Sequence, residues 1–185
     1  MTNIPRLNRD NILFVFIDLQ EKLLVKIPDV QRVLSRNELL LAAANALGLP
    51  YVVTSQYRKG LGEIAGSLRD KMRVPVLDKT SFSCVGDETI GKELEASGKR
   101  SLVISGVETH ICVLQTCLDL LERGFQVSVV ADAVGARTEA DHELGLKRME
   151  SAGALPVTAE MVIYELLGRS DSDAFKKILP LIKQE

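Results

Sequence analysis

Lys99-Arg100-Ser101-Leu102-Val103-Ile104-Ser105-Gly106-Val107-Glu108-Thr109-His110-Ile111-Cys112-Val113-Leu114-Gln115-Thr116-Cys117-Leu118-Asp119-Leu120-Leu121 is the stretch that decides the fold. Five strand-forming residues, Ser101 to Ser105, stop at Gly106, and a helix-patterned segment takes over within a few residues. Val113, Cys117, Leu120 and Leu121 recur at i, i+4, i+7 and i+8, the spacing of a helix that lies with one apolar face on a sheet. Thr109 is placed to cap that helix, which puts Cys112 in its first turn, where N–H groups lack intrahelical partners and the macrodipole favours an anion. A thiol there is expected to lose its proton more easily than a free one. On this segment alone Cys112 reads equally as a small buried hydrophobe, so the rest of the chain has to supply the chemistry.

Outward from this unit the chain alternates between two periods. Ile12 to Ile17 is a continuous apolar run, as expected of a strand buried on both faces, and it ends in Asp18. A long helix follows from Asp29, with Pro28 near its start and Gly48 and Pro50 at its stop. Tyr51 to Thr54 reads as the second strand, the region from Gly60 to Gly66 as loop or short helix, and Val74 to Leu77 as a third strand running into Asp78-Lys79. Thr89 to Ala96 is a helix stopped by Gly98, Gln126 to Ala131 a fifth strand closing at Asp132, and Thr138 caps a helix reaching about Ser151. Leu155 to Thr158 is a sixth strand, and the remainder is helical, with Phe175, Ile178, Leu179 and Ile182 on one face. Such alternation implies parallel pairing through right-handed crossovers, hence an α/β fold: a three-layer α-β-α sandwich with its ligand site at the carboxyl ends of the strands.

Composition fits one domain spanning 1–185. At 185 residues with 46% hydrophobic and 26% charged side chains, the chain buries about 70% of its unfolded surface in a single core. A formal net charge of −2, with no cluster of Lys or Arg on one element, argues against nucleic acid as a partner. The run Ile12–Ile17 is too short to cross a bilayer. Three irregularly placed cysteines make no disulfide framework, and Met1 to Asp10 carries no secretory apolar segment, so an intracellular, cytoplasmic setting is expected.

Three strands end in chemically capable residues: the first in Asp18, the third in Lys79, and the fourth leads to Cys112. Together they are an acid/base, a cation and a nucleophile, the set that thiol-based acyl chemistry requires. Asp132 and Arg137 flank the turn after the fifth strand and are expected to pair and brace it.

Ile17-Asp18-Leu19-Gln20, Asp78-Lys79-Thr80-Ser81-Phe82-Ser83, Gly106 to Val113 and Ala131 to Arg137 resemble the successive motifs of the isochorismatase-like cysteine hydrolases, in particular their compact isochorismatase domain protein branch. The resemblance implies a six-stranded parallel sheet and a catalytic triad on Asp18, Lys79 and Cys112. It also implies a non-proline cis peptide at Val107-Glu108, with the amides of Glu108 and Cys112 as an oxyanion hole, and a homo-oligomer, which the apolar C-terminal residues Met161, Val162, Ile163 and Leu166 would permit. Where nicotinamide-hydrolysing relatives carry an Asp-x-His pair, this chain has Thr54-Ser55-Gln56-Tyr57, and its only histidines are His110 and His142. No metal site and no cofactor is therefore expected. Isochorismate-cleaving relatives work without a cysteine nucleophile, so Cys112 favours carbonyl chemistry on a small-molecule substrate, with an amide most favoured. Phe14, Gln20, Gln56, Tyr57, Phe82 and His110 lie near enough to the motifs to line the pocket. Two other readings stay open at this point: a catalytically idle interaction module, and a redox-active thiol protein in which Cys84, placed in a loop, resolves an oxidised Cys112.

Overall fold

The computed structural model describes residues 6–183. The first half of the N-terminal stretch read above for a secretory segment, residues 1–5, lies outside them. Six strands, β1 (Ile12–Ile17), β2 (Tyr51–Gln56), β3 (Val76–Lys79), β4 (Ser101–Val107), β5 (Gln126–Gly135) and β6 (Leu155–Val157), form one sheet in the order β3-β2-β1-β4-β5-β6. Every neighbouring pair is parallel. The helices are α1 (Glu21–Leu24), α2 (Val30–Leu47), α3 (Arg58–Leu61), α4 (Gly66–Arg69), α5 (Glu88–Ala96), α6 (Leu114–Glu122), α7 (Glu139–Ser151), α8 (Ala159–Leu167) and α9 (Asp173–Ile182).

The unbroken apolar run of β1 is explained by what covers it. Ile12, Phe14 and Phe16 pack with Val33, Leu40 and Leu41 of α2 and Val162 of α8, while Leu13, Val15 and Ile17 pack with Ile90 and Leu94 of α5 and Cys117 and Leu120 of α6. Alternate side chains of a strand point to opposite faces, so a strand covered on both has no place for a polar residue. The molecule is thus a three-layer α-β-α sandwich. A smaller apolar cluster, Leu39, Ala43, Ile163, Leu167 and Ile178, ties α8 and α9 onto α2. This packing uses most of the apolar residues expected to serve oligomerisation: Val162, Ile163 and Leu166 are buried within the fold, and only Met161 of that group is exposed.

The chain leaves β1 outward through β2 to β3 and then returns to lay β4 on the other side of β1. Their carboxyl ends diverge from a single switch point, the place where open parallel sheets leave a crevice. β1 and β4 come unusually close there. Gly106 has φ +118°, and a Cβ on it would lie 2.0 Å from the Ile17 carbonyl oxygen.

β2 and β4 each run two residues past their sequence reading, to Gln56 and Val107, β6 ends one residue short, at Val157, and β3 and β5 differ for identifiable reasons. β3 begins at Val76 rather than Val74 because Pro75 has no N–H for the ladder, and its pairing runs on to Gln56↔Lys79, which brings Lys79 into the strand. β5 does not close at Asp132. Its register with β4 shifts between Ile104 and Gly106, then resumes as Gly106↔Val134 and Val107↔Gly135. The irregularity absorbs extra residues in β5, as a bulge does, and Asp132 sits inside it. The Asp132 carboxylate accepts from the Ala159 N–H at 2.8 Å and lies 3.4 Å from Arg36, whereas Arg137 pairs with Glu108 at 2.7 Å. The expected Asp132–Arg137 brace is therefore replaced by two separate ones.

Candidate active site

Asp18 is the first residue beyond β1 and has φ +53°, a left-handed conformation uncommon for a non-glycine residue. Its N–H donates to the Thr54 carbonyl at 3.1 Å, so the turn is held on β2. The side chain has no exposure. Thr54 Oγ1 donates to Asp18 Oδ1 at 2.8 Å, and Lys79 Nζ donates to Oδ2 at 2.7 Å.

Lys79 projects from the end of edge strand β3 into the interior, 1% exposed. Besides Asp18 its ammonium meets Gln56 Oε1 at 2.7 Å, the Phe82 carbonyl at 3.0 Å and the Ser81 carbonyl at 3.3 Å. Burial is the largest single influence and works against its charge, but the Asp18 carboxylate, the Cys84 and Cys112 sulfurs and the hydrogen bond to Asp18 together outweigh it, and Lys79 holds its proton above the usual lysine range. A buried lysine ringed by oxygen acceptors is a fixed cation rather than a solvated surface group.

Cys112 lies in a π turn, Thr109–Val113, immediately before α6. The Glu108 carbonyl accepts from both the Ile111 and Val113 N–H groups, at 3.1 and 3.2 Å, and the peptide Val107-Glu108 is cis. Thr109 does not cap the helix. Its Oγ1 is 3.0 Å from His142 Nδ1, and Glu108 occupies the cap position without a side-chain bond. Cys112 is 5% exposed, with Sγ 3.8 Å from Gln56 Oε1. Contrary to the sequence expectation, its thiol is harder to ionise than a free one. Burial is the largest cause, the Asp18 carboxylate adds to it, and the Lys79 ammonium only partly compensates.

Asp18, Lys79 and Cys112 therefore share one buried crevice at the switch point, with Gln56 contacting both Lys79 and the thiol. The other sequence-named residues divide. Gln20 is close but fully engaged: Nε2 donates to the Gln56 and Gly62 carbonyls at 3.1 and 2.7 Å, and Oε1 accepts from the Gln56 N–H at 2.7 Å. It fastens the segment after β1 onto β2. Phe14 belongs to the core on the α2 face, its ring stacked on Phe16 at 6.2 Å, because its place in the alternation points it there. Tyr57 and Phe82 are both about half exposed on backbone that contacts Lys79. His110 is partly buried, with Nε2 3.9 Å from Asp141. Cys84 is not in an exposed loop. It starts a short 3₁₀ turn (Cys84–Gly86), has no exposure, and burial pushes its thiol up to about 11.

Thr54 is the residue that motif reasoning passed over. The signal available was the polar run Thr54-Ser55-Gln56 at the carboxyl end of a fully buried strand, in which Thr54 and Gln56 share one face. A cavity of about 620 Å³ lies elsewhere, lined by Ile27, Arg32, Asp132, Ala136 and His142, and none of the three central residues borders it. Among the described residues no three His, Cys, Asp or Glu side chains converge as metal ligands, and no helix is long and apolar enough to cross a membrane.

Residues 13–161 match the family model described as the isochorismatase domain. Isochorismatase domain-containing protein 1 of Danio rerio is 37% identical over 183 residues, 99% of this chain, and the chain spans 65% of that relative's own length. Among solved structures, the MAR1 ribonuclease of Caenorhabditis elegans is 38% identical with a TM-score of 0.91, covering 97% of this chain and 93% of the other. The YcaC gene product of Escherichia coli, described as an octameric hydrolase of unknown specificity, is 26% identical with a TM-score of 0.91 and covers 100% and 96%. A matched domain over most of the chain, a relative more than a third identical and the same six-stranded parallel sheet place this chain in the isochorismatase family.

Proposed function

We propose that this chain is a cysteine-dependent hydrolase of a small amide or related carbonyl compound, working through a thioester on Cys112. The observation that carries the reading is the buried Lys79–Asp18 pair, 2.7 Å apart with neither side chain exposed, set against a thiol that holds its proton. A thiol that stays neutral at rest needs a base at the moment of attack, and Asp18 is the carboxylate beside it. In the first half-reaction Asp18 takes the Cys112 proton as sulfur attacks the carbonyl carbon, and the electron pair of the C=O bond moves to oxygen. The backbone amides of Glu108 and Cys112 serve as the oxyanion donors, an effect worth about 3 kcal/mol per donor. Collapse of the adduct breaks the C–N bond, and Asp18 returns its proton to the leaving amine. Water then attacks the thioester with Asp18 as base, releasing the acid and restoring the thiol. Lys79 holds the Asp18 carboxyl group in place throughout. No cofactor enters this scheme, and a single domain suffices for it. A homo-oligomer is part of the same reading, supported by the octameric neighbour.

An RNA substrate is the second reading, favoured by the ribonuclease names of three structural neighbours. The formal net charge of −2 and the burial of Lys79 weigh against it, since phosphate contacts need exposed cations. Incubation with a panel of small amides, carbamates and hydroxamates, followed by intact-mass measurement, tests the proposal. A mass increase localised to Cys112, with turnover lost in Cys112→Ala, is expected. Cleavage of single-stranded RNA that survives Cys112→Ala would replace the amide reading.

A further inference from the structure

Thr54 and Cys84 are buried polar groups at the site to which the reaction above gives no part. Thr54 Oγ1 lies 2.8 Å from Asp18 Oδ1 and 3.8 Å from Cys84 Sγ, and none of the three side chains is exposed. An ionised carboxylate can only accept, so the single hydroxyl proton of Thr54 points at Asp18 and its lone pairs face the Cys84 thiol. The direction of the path is thereby fixed as Cys84 to Thr54 to Asp18. Cys84 is itself held by its backbone, whose N–H donates to Thr116 Oγ1 at 2.9 Å, and Thr116 is on α6, the helix that follows the Cys112 turn. The residue whose thiol contacts Thr54 is thereby anchored to the helix behind the nucleophile. Thr54 also fixes Asp18 through the backbone, by the 3.1 Å bond from the Asp18 N–H to its carbonyl.

We infer that Thr54 is a positioning residue for the reaction, its hydroxyl holding Asp18 as the ionised base in register with Cys112. The inference rests on the role of Asp18 proposed above. Lys79 alone secures Oδ2 and leaves the carboxylate free to turn about its Cα–Cβ and Cβ–Cγ bonds. Thr54 secures Oδ1, and the two donors together leave one orientation. Donors to a carboxylate also favour its charged form, so loss of the hydroxyl makes protonation easier. The titratable groups facing Asp18 are Lys79 from β3, Cys112 from the π turn and Cys84 from the 3₁₀ turn. All three hold their protons above their ordinary ranges, so an acid limb in the reactivity of Cys112 is not theirs.

The test reads Cys112 directly and needs no substrate. Rates of Cys112 alkylation by iodoacetamide are measured by peptide mass spectrometry from pH 3 to 8 in the native protein, Thr54→Val, Thr54→Ala, Thr54→Ser and Asp18→Asn. The expected result is an acid limb that moves up by at least about half a pH unit in Thr54→Val or Thr54→Ala, with a plateau reduced severalfold, both restored in Thr54→Ser. A purely structural role would lower the rate without moving the limb. If Asp18→Asn abolishes the limb while both Thr54 replacements leave it in place, the base reading stands and the inference about Thr54 is overturned. A native limb that persists in Asp18→Asn overturns both. Two replacements of different volume keep the test usable if one fails to fold.

Discussion

Lys79 and Asp18 show how much a single pair can demand of its surroundings. Each loses its hydration completely, and the ion pair is tolerable because the ammonium and both carboxylate oxygens find further partners: Gln56 and two carbonyls for Lys79, Thr54 for Asp18. Removing one member leaves a buried charge without compensation. Lys79→Met, close in volume, is therefore expected to lower stability by about 3 to 5 kcal/mol, as read from urea unfolding followed by circular dichroism. A loss below about 1 kcal/mol would mean that water reaches Asp18. At this scale the meeting of Asp18, Lys79 and Cys112 was legible in the sequence because each lies at or beyond the carboxyl end of a strand, and strand ends converge in a parallel sheet. The ionisation of Cys112 was not. Its place at the start of a helix and near a lysine points one way, but the outcome depends on how deeply the thiol is buried and on the nearby carboxylate, which no spacing reveals. Phe14 was misplaced for a related reason, since a two-residue alternation in a strand apolar on both faces does not say which layer either set meets.

At the scale of elements the site depends on the contact between β1 and β4. The close approach at Gly106, with φ +118° and room for no Cβ, lets the two carboxyl ends leave side by side, one carrying Asp18 and the other leading to Cys112. Gly106→Ala is expected to cost about 2 to 6 kcal/mol, combining a conformation that L side chains rarely adopt with a clash against backbone that cannot rotate away. Thermal unfolding checks the loss, and a melting temperature within about 2 °C of the native value would show that β4 can retreat from β1 freely. Every strand and long helix was recognisable from periodicity, with edges off by a few residues. The larger error, at β5, came from the register shift opposite Ser105. Its cause is a pairing between strands far apart in sequence, and Asp132 looked like a strand end because a carboxylate inside a strand has no local explanation. The explanation is tertiary: Ala159 at the start of α8 and Arg36 in α2 are waiting for it.

Across the whole molecule, the three thiols carry a common signature. All are free and buried, and none was expected to be equivalent to the others from sequence. Burial pushes Cys84 up to about 11 and Cys117 to about 12 from an ordinary 9.0, and Cys112 is raised as well. In the unfolded chain these groups lose their protons near pH 9, while in the folded chain they keep them. Above pH 9 the unfolded state thus binds fewer protons, and stability falls as pH rises. The stabilisation is complete below pH 9 and is lost progressively up to the folded values near 11 and 12. Each thiol contributes about 1.4 kcal/mol per pH unit within that window, so Cys84 and Cys117 alone remove about 3 kcal/mol by pH 10, a large share of a typical 5 to 15 kcal/mol. Lys79, also raised, acts in the same direction above its usual 10.5. Urea midpoints measured from pH 7 to 10.5 should therefore be level to about pH 8.5 and then fall steeply, with the fall reduced by roughly a third to a half in Cys117→Ala, whose thiol is raised by burial alone. A flat profile to pH 10 in the native protein would show that these thiols ionise in place as readily as in the unfolded chain, and that burial does not hold their protons.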